Sequence, residues 1–578
     1  MTYGRIDRKQ RPTVYQSHPD RFSISKVREW LASTCAARDN HVFVPANREY
    51  DGARKRGSVS SPAHITIGDN LLQDALLGSV EIVQELNQHW WCTIYCRQST
   101  DRRIPIESFL GESVQVTTTG EDGAVHVNFT GFVLDVELAY EVWGTYTARL
   151  ICVSESYKLD VAARKQYYAD STLEQIASAV TGRAGLSATV SASSQKPLNY
   201  VQYGETDFSF LNRIVDDYGC WLRPSQNGVA IFDQFQASHS LEFRAEGDLI
   251  DFRVNGRLSP ASFDGSHYDH HAMESNVFER VGAEPDFFSS SERLTTAVMN
   301  KSPNVLPAGF APQRARAMTL ADYQQNLEGE SQRSIGASIT ASGRSRNEQL
   351  QAGDTVRVEG VLDAQGSYGL IKVVHRWESA GYFNEFVCTP WRKYRNPRQP
   401  ALRAWYGVVP ARVVEHNDPK KMGRIKVQFF WQNDGSTHWA RTVSPHAGPD
   451  RGFMFMPEVG DEVAVAFEDG DPERPIVLGS LWNGVQQAPR QEFFGNNIAP
   501  NEIKRIVTKS GNRVQFVDEK GKETIVVATP NSSSISLTEK SDGTGRTLIT
   551  LQSAGDIVLS APDGRVHIQS KFFSREVG

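Results

Sequence analysis

The 578-residue sequence predicts a mainly β protein with α+β insertions: β-barrels, then an OB-fold barrel, then a C-terminal intertwined trimeric β-helix prism. Three observations predict it. Short alternating apolar runs, separated by Gly-containing turns, recur from residue 65 to residue 484, the pattern of half-buried strands. Two amphipathic stretches with helix-start signals interrupt them after residue 170. The last segment repeats short strand-like units of about eight residues, a solenoid rhythm.

The totals set bounds. The chain is too long for one core and divides into about three or four domains. A net charge of −6 argues against a general nucleic-acid footprint. No run of about 18 apolar residues exists, so no transmembrane helix is expected. The N-terminus, MTYGRIDRKQRPTVYQ, is basic but lacks an apolar core and a small-residue cleavage site, so no secretory signal is expected. Six cysteines are too few for a disulfide framework in this length. Cys92 and Cys96, in HWWCTIYCRQ, lie four strand residues apart, roughly 13 Å, which is beyond disulfide reach; they read as buried thiols.

Residues 1–64 form a basic N-terminal extension and linker. Ile24, Val27, Trp30, Leu31 and Thr34 make a short helical stripe, and DGARKRGSVSSPA (Asp51–Ala63) reads as linker. Two readings stand: a docking arm for an acidic partner, or a solvated tail or self-packed helix. Residues 65–400 carry β-barrels with a helical insert. Val125, Val127, Phe129 and Val133 alternate. Ser171-Thr-Leu-Glu174 is a capping-box sequence, followed by an apolar face of Leu173, Ile176, Ala177 and Val180. In ETDFSFLNRIVDDYG, Thr206 is the expected N-cap, Phe208, Leu211, Val215 and Tyr218 the stripe, and Gly219 the stop. Strands are expected from there to about residue 398.

Residues 401–484 contain five short strands, which suits an OB-type barrel. Gly460-Asp461 and Gly470-Asp471-Pro472 are expected turns, as is Gly479, and Asn483-Gly484 leads out toward the tail. Asp469 and Asp471 also admit a paired-carboxylate reading; Asp beside Gly and Pro is explained more simply by turn chemistry.

Residues 485–578 hold TLITLQSA, GDIVLSAP and DGRVHIQS in succession. Ile549 and Leu551 recur as Ile557 and Leu559, then as Val566 and Ile568. Two inward side chains per strand cannot close a core, and the strand edges stay open. Three copies wound together solve both problems, with these six residues on the axis and Thr550, Ser560 and Gln569 facing water. Each buried side chain then contributes roughly 1.5–3 kcal/mol.

Signals for other chemistry are weaker. In SHYDHHAME, His267 and His271 share a strand face, near Asp269, and His270 points away; a zinc site there competes with ordinary surface histidines. His567 in three copies would cluster near an axis, but Val566 and Ile568 are the better inward pair. We expect no metal, no cofactor and no catalytic residue. Neither a Walker loop, a nucleophile elbow, a GxGxxG motif nor HExxH is present.

Three stretches resemble the VgrG family, the spike proteins of type VI secretion systems: QYGETDFSFLNRIVDDYGCW (Gln202–Trp221), RGFMFMPEVGDEVAVAFEDGDPERPIVLGSLWNG (Arg451–Gly484) and NEIKRIVTKSGNRVQFVDEKGKETIVVATP (Asn501–Pro530). The second is the most specific, and the resemblance covers about residues 65–570. It implies a phage-hub-like domain at 65–400, an OB domain at 401–484 and a spike at 485–578. It further implies a homotrimer on an Hcp-like tube, with baseplate contacts, a PAAR-repeat tip protein and secreted effectors. Contact with the target membrane would be transient, and no nucleic acid is involved. The location implied is cytoplasmic during assembly, then secreted or injected. Residues 1–64 do not match the family's usual start, and the prism ends near residue 570, so no toxin domain is expected. Alternatives are the spike of a phage tail or extracellular contractile particle and, from another class, a cell-wall hydrolase with β binding modules.

Overall fold

The computed structural model describes residues 63–571 except 73–76, 100–105, 120–122, 141–144, 194–195, 270–272, 289–292, 312–319, 379–380, 394, 396–404, 433–434, 489–501, 532, 540–546 and 570. The expected helical stripe at Ile24–Thr34 lies outside the described residues.

Period-two alternation organises the first half of the chain. In the strand Trp91–Ser99, Cys92, Ile94 and Cys96 point to one face and are buried. This strand lies between Leu77–Glu85 and Thr145–Val153, both antiparallel to it, with Ile82, Cys92 and Cys152 in register. Leu77–Glu85 pairs on its other edge with Gly366–Glu378, where His375 opposes Ile82. The beginning and end of this region therefore share one thirteen-stranded sheet. Buried Gln84 joins them further: its Nε2 donates to the Asn128 carbonyl (2.8 Å) and its Oε1 accepts from the Ala352 amide (3.1 Å).

The helix Leu173–Gly182 starts one residue later than STLE suggests. Thr172 is the N-cap, accepting from the Gln175 amide (3.2 Å), while Gln175 Oε1 accepts from the Thr172 amide (2.9 Å). Ser171 cannot serve because it is still in the strand Ala163–Ser171, opposite Leu198. Thr206 caps the helix Asp207–Asp217, accepting from the Ser209 amide (3.2 Å). Phe210 and Ile214 are buried along with Phe208, Leu211 and Val215, so this helix is covered on more than one face.

Residues 293–338 depart from the expected strands: they hold the helices Arg293–Val305 and Leu320–Ser338. The longer one buries Tyr323, Leu327, Ser331 and Ile335, a stripe at four-residue spacing. Ser331 breaks the apolar signal in the sequence. Its hydroxyl is satisfied, donating to the Ala261 carbonyl (2.7 Å) and accepting from the Ala283 amide (2.9 Å).

Val409–Glu415, Ile425–Phe429, His438–Thr442, Pro475–Ser480 and Glu462–Phe467 close into a barrel around Val413, Val427, Phe429, Val463 and Val465. Gly460 (φ 98°) and Gly470 (φ 76°) turn the chain with left-handed backbone that glycine accepts freely. Gly479 is not at a turn: it lies inside the strand Pro475–Ser480, opposite Ala464 and beside a register shift, where a bulge rather than a turn uses its freedom.

The C-terminal region is a five-stranded antiparallel meander of Ile503–Val507, Arg513–Val517, Thr524–Ala528, Ser534–Glu539 and Thr547–Gln552. Of the repeating units, TLITLQ is a strand here; among the described residues after Gln552 the chain has none.

Candidate functional site

Two features stand out: a joint that locks the barrel to the domain before it, and an apolar sheet face that is left exposed among the described residues.

The joint grows from the strand Leu198–Thr206, which alternates and buries both faces. Tyr200 packs with the two helices, whereas Val201 and Tyr203 enter the barrel core. The Tyr203 ring lies edge-on to Trp405 (5.1 Å), Trp431 (5.6 Å) and Phe467 (5.8 Å). Lys165 Nζ sits 4.5 Å from the same ring, and Tyr167 lies 4.0 Å from His438.

An ion cluster closes the joint. Arg213 Nη2 donates to Glu205 Oε1 (2.5 Å) and to the Val201 carbonyl (2.8 Å). Glu473, on the barrel, accepts from the Val201 amide (3.2 Å) and lies 3.8 Å from Arg213 Nη1. One guanidinium thus faces two carboxylates, with Asp471 nearby. Burial pushes the Glu473 carboxyl up to about 7, against the pull of Arg213. Burial, reinforced by the Glu473 charge, pushes Asp471 up to about 7 as well. Asp471 Oδ1 also accepts from the Glu473 amide (2.8 Å), a turn-closing bond. Asn483 likewise shapes the chain leaving the barrel, accepting from the Val485 (2.9 Å) and Gln486 (2.7 Å) amides and donating to Glu462 (2.6 Å).

The uncovered face follows from register. Directly opposed residues share a face. Ile506, Val514, Val527, Ile535 and Leu551 form one row across the meander, and Phe516, Ile525, Leu537 and Ile549 form the next, which ends on Lys504 at the first strand. Phe516 is 41% exposed, Leu537 45% and Ile549 66%. The middle row of the opposite face is mostly polar: Arg505, Gln515, Val526, Ser536 and Thr550. Contiguous apolar surface of this kind marks an interaction site. The local sequence pattern marks only Ile549 and Leu551 of these two rows, because the pairing that aligns the earlier strands is not local. Ile557, Leu559, Val566 and Ile568 follow, all exposed.

The histidine candidates separate. His267 is buried and stacks on Tyr323 at 5.4 Å, His270 and His271 lie outside the described residues, and His567 is exposed. Among the described residues, no group of three or more His, Cys, Asp or Glu side chains is placed to hold a metal ion, and no helix is long and apolar enough to cross a membrane.

Residues 84–381, just over half of the chain, match the phage tail baseplate hub family. Residues 409–482 match the type VI secretion system/phage-baseplate injector OB domain. The type VI secretion system spike protein VgrG1a of Pseudomonas aeruginosa is 26% identical over 372 residues, 57% of this chain and 55% of the relative. The chain belongs to the VgrG family. VgrG5 of the same organism is 34% identical over 167 residues, 25% of this chain and 20% of the relative. The matched part thus spans between a fifth and about half of these VgrG relatives. A chain of the half-lidded Francisella PdpA–VgrG complex aligns over 92% of this chain and 94% of its own with a TM-score of 0.55; at 8% identity the likeness is one of fold.

Proposed function

We propose that three copies of this chain form the spike of a type VI secretion system, with a structural rather than enzymatic role. The observation that carries the reading is the two-row apolar face of the meander, which one chain leaves in water. Three copies around an axis bury it, and Ile549, Leu551, Ile557, Leu559, Val566 and Ile568 continue the same axial stripe toward the tip. Residues 65–400 serve as the hub on an Hcp-like tube and contact the baseplate, 401–484 as the OB joint and 485–578 as the spike. A PAAR-repeat protein at the tip and secreted effectors are the cargo, and contact with the target membrane is transient. Assembly takes place in the cytoplasm, before secretion or injection. The joint suits such a role. A spike pushed from behind needs a rigid link between hub and tip, and aromatic packing backed by a buried ion cluster supplies one.

Light scattering on the purified protein tests the core of the reading. We expect three times the 64.4 kDa of one chain, and a monomer at micromolar concentration overturns it. A phage tail or extracellular contractile particle is a second reading, favoured by an OB-domain match whose description covers phage-baseplate injectors too. Neighbouring genes separate the two. Incubation with peptidoglycan tests the non-enzymatic role: bond cleavage that disappears on mutating one carboxylate defeats it.

A further inference from the structure

Cys92 and Cys152 stand directly opposite each other on the neighbouring antiparallel strands Trp91–Ser99 and Thr145–Val153. Both side chains are fully buried in the same core. Opposed residues of an antiparallel pair have Cα atoms about 4.5–5.5 Å apart, within the span a disulfide bridges. Cys96, on the same strand, opposes Ala148 instead. Cys220 and Cys388 are buried in two other cores.

We propose that Cys92 and Cys152 are a disulfide-forming site in the hub, used when the chain folds or its sheet opens in the presence of a small-molecule disulfide. The thiolate of Cys92 attacks one sulfur of the reagent, forming a mixed disulfide and releasing one reagent thiolate. The thiolate of Cys152 then attacks the Cys92 sulfur, closing the protein disulfide and releasing the second. Two protein thiols are oxidised, one reagent disulfide is reduced to two thiols, and the two protons pass to those thiolates or to water. In the folded protein the pair is sealed. Both strands have neighbours on each edge, and burial holds the Cys92 thiol protonated, well above its ordinary range. A chain that folds under reducing conditions therefore keeps the dithiol when it later meets an oxidant. This inference does not depend on the trimeric reading.

Refolding from urea in a mixed reduced and oxidised glutathione buffer, acid quenching and non-reducing peptide mapping test it. The expected product links the peptides containing Cys92 and Cys152. Cys96→Ala keeps that link. Cys152→Ala loses it without a Cys92–Cys96 link appearing. Native protein in the same buffer without urea stays a dithiol over the same time. A Cys92–Cys96 link, scrambled pairs that include Cys35, Cys220 or Cys388, or a lasting glutathione adduct on Cys92 overturns the assignment, as does equally fast oxidation of the native protein. The wild-type map decides the pairing even if a variant fails to fold.

Discussion

Replacing Leu537 by alanine removes apolar surface from the middle of the uncovered face. Full burial of a leucine side chain is worth about 1.5–3 kcal/mol. Leu537 is still 45% exposed in the single chain, so association has about 1 kcal/mol per copy left to gain there, or about 3 kcal/mol per trimer. Three kcal/mol is a change of about a hundredfold in the assembly constant. The midpoint concentration of a monomer–trimer equilibrium scales as the square root of that constant, so it should rise about tenfold. Leu537→Asp adds the desolvation of three carboxylates and should abolish the trimer at micromolar concentration. Ser536→Ala, one residue away on the opposite face, should leave the midpoint unchanged. Sedimentation velocity over a concentration series reads all three. If Leu537→Asp and wild type share one midpoint, the face is not the contact and the axial reasoning fails.

Tyr203→Ala should cost about 3–5 kcal/mol, the usual loss for a large buried aromatic, and appear as an earlier barrel transition in a thermal scan. The joint should also respond to pH. The Glu473 and Asp471 carboxyls titrate near 7 in the folded chain, above their ordinary values near 4.5 and 3.8. The folded state then binds more protons than the unfolded one between those limits, so these two groups contribute stability in acid that is lost as pH rises from about 4 to about 7. Urea midpoints at several pH values should show that fall, reduced in Glu473→Gln, which keeps an acceptor for the Val201 amide. Thr172→Ala should cost about 1 kcal/mol, because the capping-box hydroxyl is lost; Ser171→Ala should cost less, and chemical denaturation compares them.

Features that depend on neighbouring residues were legible in the order of amino acids. Alternation located the strands of the barrel, Thr206 and its stripe located a helix, and Gly460 and Gly470 located turns, since each rests on local backbone preference or on which of two faces is apolar. The helix Leu320–Ser338 is not marked by periodicity, because a buried serine, satisfied by distant carbonyl and amide partners, stands where the pattern needs an apolar side chain. Features that depend on register needed the folded chain. Only strand pairing shows that Phe516, Ile525, Leu537 and Ile549 form one row and that Cys152 rather than Cys96 faces Cys92; only the packing of one domain on the next shows that Tyr203 fills another domain's core and that Arg213 meets Glu473. Side chains far apart in the chain acquire a shared environment only once the ladders between them are fixed, and that environment sets their burial, their charge and their chemistry.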